Sequence, residues 1–223
     1  MRGTVQIVSL LAITGFVLAQ EPPAAPVPVK NLPVITFTLD FPGSDPDHYS
    51  FEVTSDGHAS YESTAKLSPQ SDDKDSYRQA FTMSDAMRAK IFDLASRAGY
   101  FEHPIDSKNK HIASTGTKVL SYKDGQRTGS QTYNYSIIPV IQELTTIFQN
   151  MEATLEFGRR LQYDYRYQKL ALDEELKRME AEAKSNSLLE MRAVEPILDK
   201  IAADPAVINV VRARAQRLVA MAR

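Results

Sequence analysis

Val34-Ile35-Thr36-Phe37-Thr38-Leu39-Asp40-Phe41 and, a short turn later, Tyr49-Ser50-Phe51-Glu52-Val53-Thr54-Ser55-Asp56-Gly57-His58 are the residues on which the fold is decided. In the first run Ile35, Phe37, Leu39 and Phe41 alternate with Thr36, Thr38 and Asp40. That period of two belongs to a strand with one wet face. Tyr49, Phe51 and Val53 repeat it. Asp56-Gly57 then supplies the tolerance of positive φ that a tight hairpin needs, and Ala59 and Tyr61 lie on one face of the return strand. A second Asp-Gly pair, in Lys123-Asp124-Gly125-Gln126, sits between Thr117–Tyr122 and Thr128–Tyr135. Two such hairpins predict an antiparallel sheet of about five to six strands.

A helix is expected between the hairpins. Ser84 is a good N-cap, Asp85 suits the positive end of the dipole, and Gly99 can close the C-terminus. Its apolar stripe is Met87, Ile91, Leu94, Ala95 and Ala98, and Tyr100-Phe101 follow as a plug for the end of the sheet. The polar runs Ser68–Asp75 and Asp106–Gly116 read as loops. A second packing helix opens near Ser136, with Ile137, Ile141, Leu144, Phe148, Met151 and Leu155 recurring at steps of three and four. The fold class is therefore α+β.

The periodicity falters at Gly158, which sets the expected end of the α+β module at 157. Beyond it Asp173–Lys177, Glu174–Arg178 and Glu180–Lys184 are four apart, the pattern of a charged, solvent-facing helix. Ser187 and Glu190 have the spacing of a capping box for the next helix, whose stripe is Met191, Val194, Leu198 and Ile201, with Pro196 expected as a kink. Asp204-Pro205 gives a cap followed by proline for the last helix, with Ile208, Val211, Ala215, Leu218 and Ala222 on its buried side. The tail thus ends in a helical hairpin whose two apolar stripes must be covered, by the module in front or by a second copy of the chain.

The N-terminus carries an address. Arg2 precedes an almost wholly apolar run from Val5 to Leu18, and Val17-Leu18-Ala19 has the small residues a signal peptidase requires, so cleavage is expected after Ala19. That run would span about 21 Å as a helix, short of the roughly 30 Å hydrocarbon core. Once it is removed no transmembrane segment is expected. Pro22, Pro23, Pro26, Pro28 and Pro33 mark an extended spacer. The organisation read from the chain is a signal peptide over 1–19, a proline-rich linker over 20–33, an α+β module over 34–157 and a helical region over 158–223.

Composition excludes several classes. The chain of 223 residues has no cysteine, which removes disulfides, zinc–thiolate sites and a cysteine nucleophile together. Export without disulfides points to a bacterial envelope. A net charge of −2 argues against general nucleic-acid affinity. The sign does change along the chain: residues 20–158 carry 12 basic and 18 acidic side chains, and residues 159–223 carry 13 and 10.

Taken together, Tyr49-Ser50-Phe51, Ser55-Asp56-Gly57 leading to Tyr61, Phe81 with the Ser84 cap, and Tyr100-Phe101 give the region from Val34 to Met151 a recognisable layout. It resembles a family of small exported bacterial α+β domains of unknown function. Members of that family often carry a Cys-Gly-x-Cys-Pro-like stretch before the second strand. Here Phe41-Pro42-Gly43-Ser44-Asp45-Pro46 stands in its place, so no property tied to those cysteines is carried over. The resemblance implies a fold and no activity.

Candidate chemistry is sparse. Asp40, Asp45, Asp47 and His48 gather hard oxygen donors and one nitrogen, a set that suits Mn²⁺, Zn²⁺ or Ca²⁺. Their spacing matches no calcium loop, and Asp45-Pro46-Asp47 is equally ordinary turn chemistry. No metal or other cofactor is assigned, and Asp45, Asp47 and His48 stay as the residues a metal would use. The four histidines, at 48, 58, 103 and 111, show no helical pairing, and neither a Gly-x-Ser-x-Gly elbow nor a phosphate loop occurs. The remaining lead is the cluster Arg159, Arg160, Tyr163, Arg166 and Tyr167, with Tyr165 between them. Tyrosine and arginine bury large area while keeping a polar tip, which suits a recognition surface and equally suits a seam between module and tail. The expected role is a non-enzymatic interaction or binding module outside the cytoplasm, with a protein partner or self-association through its C-terminal helices. The alternatives are a metal- or carboxylate-dependent hydrolase and a glycan or small-molecule binder.

Overall fold

Alternation of apolar and polar residues builds one sheet with one dry face. A computed structural model describes residues 32–66, 73–109 and 111–223. The expected signal peptide and cleavage site, most of the expected proline-rich linker and most of the expected Ser68–Asp75 loop lie outside the described residues. Six antiparallel strands, β1 (Val34–Asp40), β2 (His48–Thr54), β3 (His58–Lys66), β4 (Lys74–Thr82), β5 (Thr117–Lys123) and β6 (Thr128–Tyr133), stand in the order β4-β3-β2-β1-β5-β6. Ile35, Phe37, Leu39, Tyr49, Phe51, Val53, Tyr61 and Leu120 point into the core from one face. The opposite face carries Thr36, Thr38, Ser50, Ser60, Ser121 and other polar residues and meets solvent, as antiparallel sheets permit.

β4 has no counterpart among the strands located from sequence. Its inner positions Asp75, Tyr77, Gln79 and Phe81 alternate, but every residue of the strand is exposed or half-buried. An edge strand buries too little to need an apolar stripe, so hydrophobic periodicity could not announce it. The expected loop Ser68–Asp75 accordingly ends inside β4.

Helix α1 (Asp85–Arg97) begins where Ser84 accepts the amide of Met87 at 3.3 Å. Tyr100 and Phe101 follow at positive φ of 52° and 62°, and Phe101 is fully buried at the end of the sheet, as expected of the plug. Gly129 permits this approach, since a Cβ there would stand 2.1 Å from the Tyr100 carbonyl oxygen. Helix α2 (Pro139–Tyr167) starts later than the Ser136 reading, leaving Ile137 exposed, and buries Ile141, Leu144, Phe148, Met151 and Leu155 on the sheet. Phe148 stacks on Phe37 with centroids 4.8 Å apart.

The boundary expected at 157/158 falls inside α2, which continues through Gly158 for a total of 29 residues. Gly158 is the point where the tail closes on the helix: a Cβ there would lie 2.4 Å from Val194 Cγ1. Helix α3 (Leu172–Lys184) is not a solvated rod, because Leu172, Leu176 and Met179 are fully buried. Of its expected pairs only Glu180–Lys184 forms at four-residue spacing, at 3.2 Å; Asp173 turns to Arg214, and Glu174 meets Lys177 three residues on. Glu180 also takes Arg217 and Arg214 from the last helix, and the Arg217 and Lys184 contacts hold its carboxyl down at about 2.

Ser187 and Glu190 form no capping box. Glu190 reaches back to Ser84, accepting its amide at 2.8 Å and its hydroxyl at 2.6 Å, and so ties the tail to the start of α1. A short turn (Met191–Val194) leads into α4 (Glu195–Ala203), where Pro196 occupies the first turn and causes no kink. Asp204-Pro205 is a turn; α5 (Asn209–Ala222) starts after Ile208, which is exposed. Val194, Leu198, Ile201, Val211, Ala215 and Leu218 are buried against α2, α3 and each other. The stripes that had to be covered are covered within the chain. No helix of the described residues is long and apolar enough to cross a membrane.

A helical Gly→Ala change normally stabilises by up to about 1 kcal/mol. At Gly158 we expect the opposite sign, a loss of about 1–3 kcal/mol from overpacking on a stiff valine. Adding Val194→Ala should recover part of it, and denaturant titration of both single variants and the double variant gives the coupling. Additive effects would refute the contact.

Candidate functional site

Residues 159, 163, 166 and 167 lie at spacings of four, seven and eight, which places them on one face of the distal half of α2. The sheet ends beneath this stretch, and edge strand β4 contributes the other wall. Together Asp75, Tyr77, Arg159, Gln162, Tyr163, Arg166 and Tyr167 line an open groove of about 460 Å³. The Tyr163 and Tyr167 rings pack with centroids 5.1 Å apart, and the Arg166 guanidinium lies 5.8 Å from the Tyr167 centroid. Arg166 has no carboxylate partner among the described residues. Gln162 donates to the Tyr77 hydroxyl at 3.2 Å, bridging helix and strand across the floor.

Beneath the groove the helix is bolted to the sheet. Glu156 is 1% exposed; one carboxylate oxygen accepts from Tyr61 at 2.9 Å and Ser63 at 2.7 Å, and the other from Arg159 at 2.7 Å. Arg159 also donates to the Lys66 carbonyl at 2.9 Å. Buried charge is tolerated only when paired and hydrogen-bonded, and this one is both. Burial, with the Glu156 charge behind it, pushes the Tyr61 hydroxyl well above its ordinary range. The groove is therefore presented on a rigid wall.

Two members of the sequence cluster leave the site. Arg160 turns to α3, donating to Glu175 at 2.5 Å with its guanidinium 4.8 Å from the Phe157 ring centroid. A helix rotates by about 100° per residue, so neighbours 159 and 160 cannot share a face. Tyr165 donates to Asp204 at 2.9 Å, beside Lys169 and Lys200, and so holds the end of α2 to the α4–α5 turn. Arg160 and Tyr165 thus lie at the seam, while Arg159, Tyr163, Arg166 and Tyr167 line the groove.

Asp45, Asp47 and His48 do not converge. Asp45 accepts the Lys66 amide at 2.8 Å, Asp47 pairs with Lys74, and His48 meets Asp40 at 2.6 Å across the outer sheet face. Among the described residues no group of three acidic or histidine side chains could hold a metal ion. The physical reason is local: each of the three is the neighbour of a different strand end.

Two groups escaped sequence reasoning. Lys118 is 3% exposed, and its ammonium donates to the carbonyls of Thr115, Gly116 and Asn134 and to the Thr115 hydroxyl at 2.9–3.3 Å. Burial lowers its pKa, but its protons are committed, and it works as a strut for the base of the second hairpin. Glu152, one turn before Glu156, is pushed up to about 8, first by burial and then by the Glu156 charge. No periodicity marks either residue, because a polar group in an apolar stripe looks like an interruption.

No protein-family model matches the chain, and no curated protein matches it.

The folded carboxyl of Glu152 titrates near 8 against an ordinary 4.5, so the folded state keeps a proton that the unfolded chain releases. Stability should then fall as pH rises between these values, by at most about 1.4 kcal/mol per pH unit. Arg159, Arg160 and Asp45 also face Glu152. Denaturant titration of wild type and Glu152→Gln across this window checks it: the variant should show the flatter profile, and parallel profiles would remove the assignment.

Proposed function

We propose that this chain is an exported, non-enzymatic binding module whose recognition surface is the groove between β4 and the distal half of α2. The export half rests on the apolar run Val5–Leu18 and the Val17-Leu18-Ala19 cleavage pattern. The binding half is carried by one observation: two adjacent tyrosine rings and a guanidinium with no carboxylate partner among the described residues are held open on a helix whose other face is locked into the core. Tyrosine and arginine prepaid in position dominate recognition energetics, since little conformational entropy is lost when a ligand arrives. The volume lies within the roughly 300–1,000 Å³ range of small ligand sites. Self-association through the C-terminal helices loses its motive, because α2 and α3 already cover their stripes.

The test is a thermal-shift screen of envelope glycans and extended peptides against wild type and a Tyr163→Ala/Tyr167→Ala variant. A ligand at a hundred times its dissociation constant stabilises by about 2.7 kcal/mol. We expect at least one compound to raise the wild-type melting temperature and to lose most of that effect in the variant. Identical shifts in both proteins, or none in either, would overturn the reading.

A further inference from the structure

The groove has an open sheet edge for one wall. In an antiparallel strand the amide and carbonyl of each residue point to the same side, and successive residues alternate. The Met83 amide donates to the Gly57 carbonyl at 2.9 Å, on the β3 side. Odd residues of β4 therefore address β3, and Lys74, Ser76, Arg78, Ala80 and Thr82 direct their backbone groups outward. All five are exposed.

Two outward amides already hold carboxylate oxygens. Beyond the strand, Ser84 takes Glu190 at 2.8 Å; within it, Ser76 takes the Asp75 side chain at the same distance. The edge is receptive: Asp75 alone of its charged side chains lines the groove, and it is turned onto the Ser76 amide. Lys74 and Arg78 belong to the outer face by the pleat and are folded back onto Asp47 and Glu62. Exposed edges are usually defended by such charges, but here neither lies on the groove side.

Building on the groove as the recognition surface, we infer that its ligand is an extended peptide segment of a partner protein, added as a seventh strand to the free edge of β4. Main-chain bonds to Ser76 and Arg78 supply sequence-independent affinity, and alternate side chains supply choice. Same-face residues of a strand are about 6.6 Å apart. Two of them would face α2 over the Tyr163–Tyr167 pair, whose centroids are 5.1 Å apart. One should be aromatic or apolar, to cover the rings. An acidic residue nearby would compensate Arg166, which has no carboxylate partner among the described residues. The peptide is thus acidic and alternately apolar.

A library of random twelve-residue segments displayed on phage, panned on the intact chain and depleted on Tyr163→Ala/Tyr167→Ala, tests this. Enriched segments should alternate and contain Asp or Glu. Synthetic copies should bind wild type and bind Ser76→Pro and Arg166→Ala at least tenfold more weakly. Proline at this outward position removes one edge donor and leaves the β3 pairing intact. Should Ser76→Pro melt early, copies N-methylated at alternate backbone nitrogens do the same work on the unaltered protein, and must lose binding. Bound peptide should slow hydrogen exchange at the Arg78 amide. Tyrosine-dependent segments that tolerate both Ser76→Pro and N-methylation would sink strand addition and leave the groove standing. Glycan shifts without any enriched peptide would do likewise. A concentration-dependent dimer abolished by Ser76→Pro would give the edge to a second copy and overturn the partner. Neither peptide nor glycan binding would take the groove reading down as well.

Discussion

Glu156 is a carboxylate withdrawn from water, and the structure around the groove depends on how that charge is satisfied. Two hydroxyls from β3 and one guanidinium from its own helix share its two oxygens. Leaving such a group unpaired would cost several kcal/mol, so sheet and helix cannot separate here without stripping the carboxylate of both hydroxyls at once. Arg159 then carries the connection to the Lys66 carbonyl at the end of β3. One side chain thereby fixes the position of α2 over the edge of the sheet, and with it the distance between the tyrosine pair and β4.

The second constraint is the length of α2. At about 1.5 Å per residue its 29 residues run to roughly 44 Å, more than a strand of this sheet can cover. The first half packs on the sheet through Phe148 and its neighbours. The second half runs along the β3–β4 side of the sheet, held there by Glu156, Arg159 and Gln162, and the tail packs against it, with Gly158 giving Val194 room to approach. Burying the tail against one side of this half leaves another side free, and the groove lies there. The tail serves as a buttress.

Much of this was legible in advance, for a reason that differs by element. β1, β2, β3, β5 and β6 follow from period-two alternation and two Asp-Gly turns, and α1 and the core stripe of α2 from caps and a 3.6-residue period. β4 was not legible, because an edge strand with no buried residue leaves no stripe. Glu190 and Asp204 each match a helix-end rule and are claimed by something else, Glu190 by Ser84 and Asp204 by Tyr165, Lys169 and the Ala206 amide, while Pro196, expected as a kink, stands in the first turn of α4. Local rules state what a residue can satisfy, and tertiary neighbours determine what it does satisfy. The tyrosine–arginine cluster was visible as composition, while the division of Arg159 from Arg160 follows from their different helical faces.

By itself the sequence determined the α+β class, the hairpins, the two packing helices, the absence of any cysteine chemistry and the need for the tail's stripes to be covered. These are consequences of periodicity and composition, which act over a few residues. Only the tertiary structure decided that α2 crosses the expected boundary, that the tail covers itself against the same chain, and that an edge strand and a helix end meet to form a groove. Those outcomes join residues such as Asp75 and Tyr163 that lie far apart along the chain, and no local pattern records which distant backbone will be near.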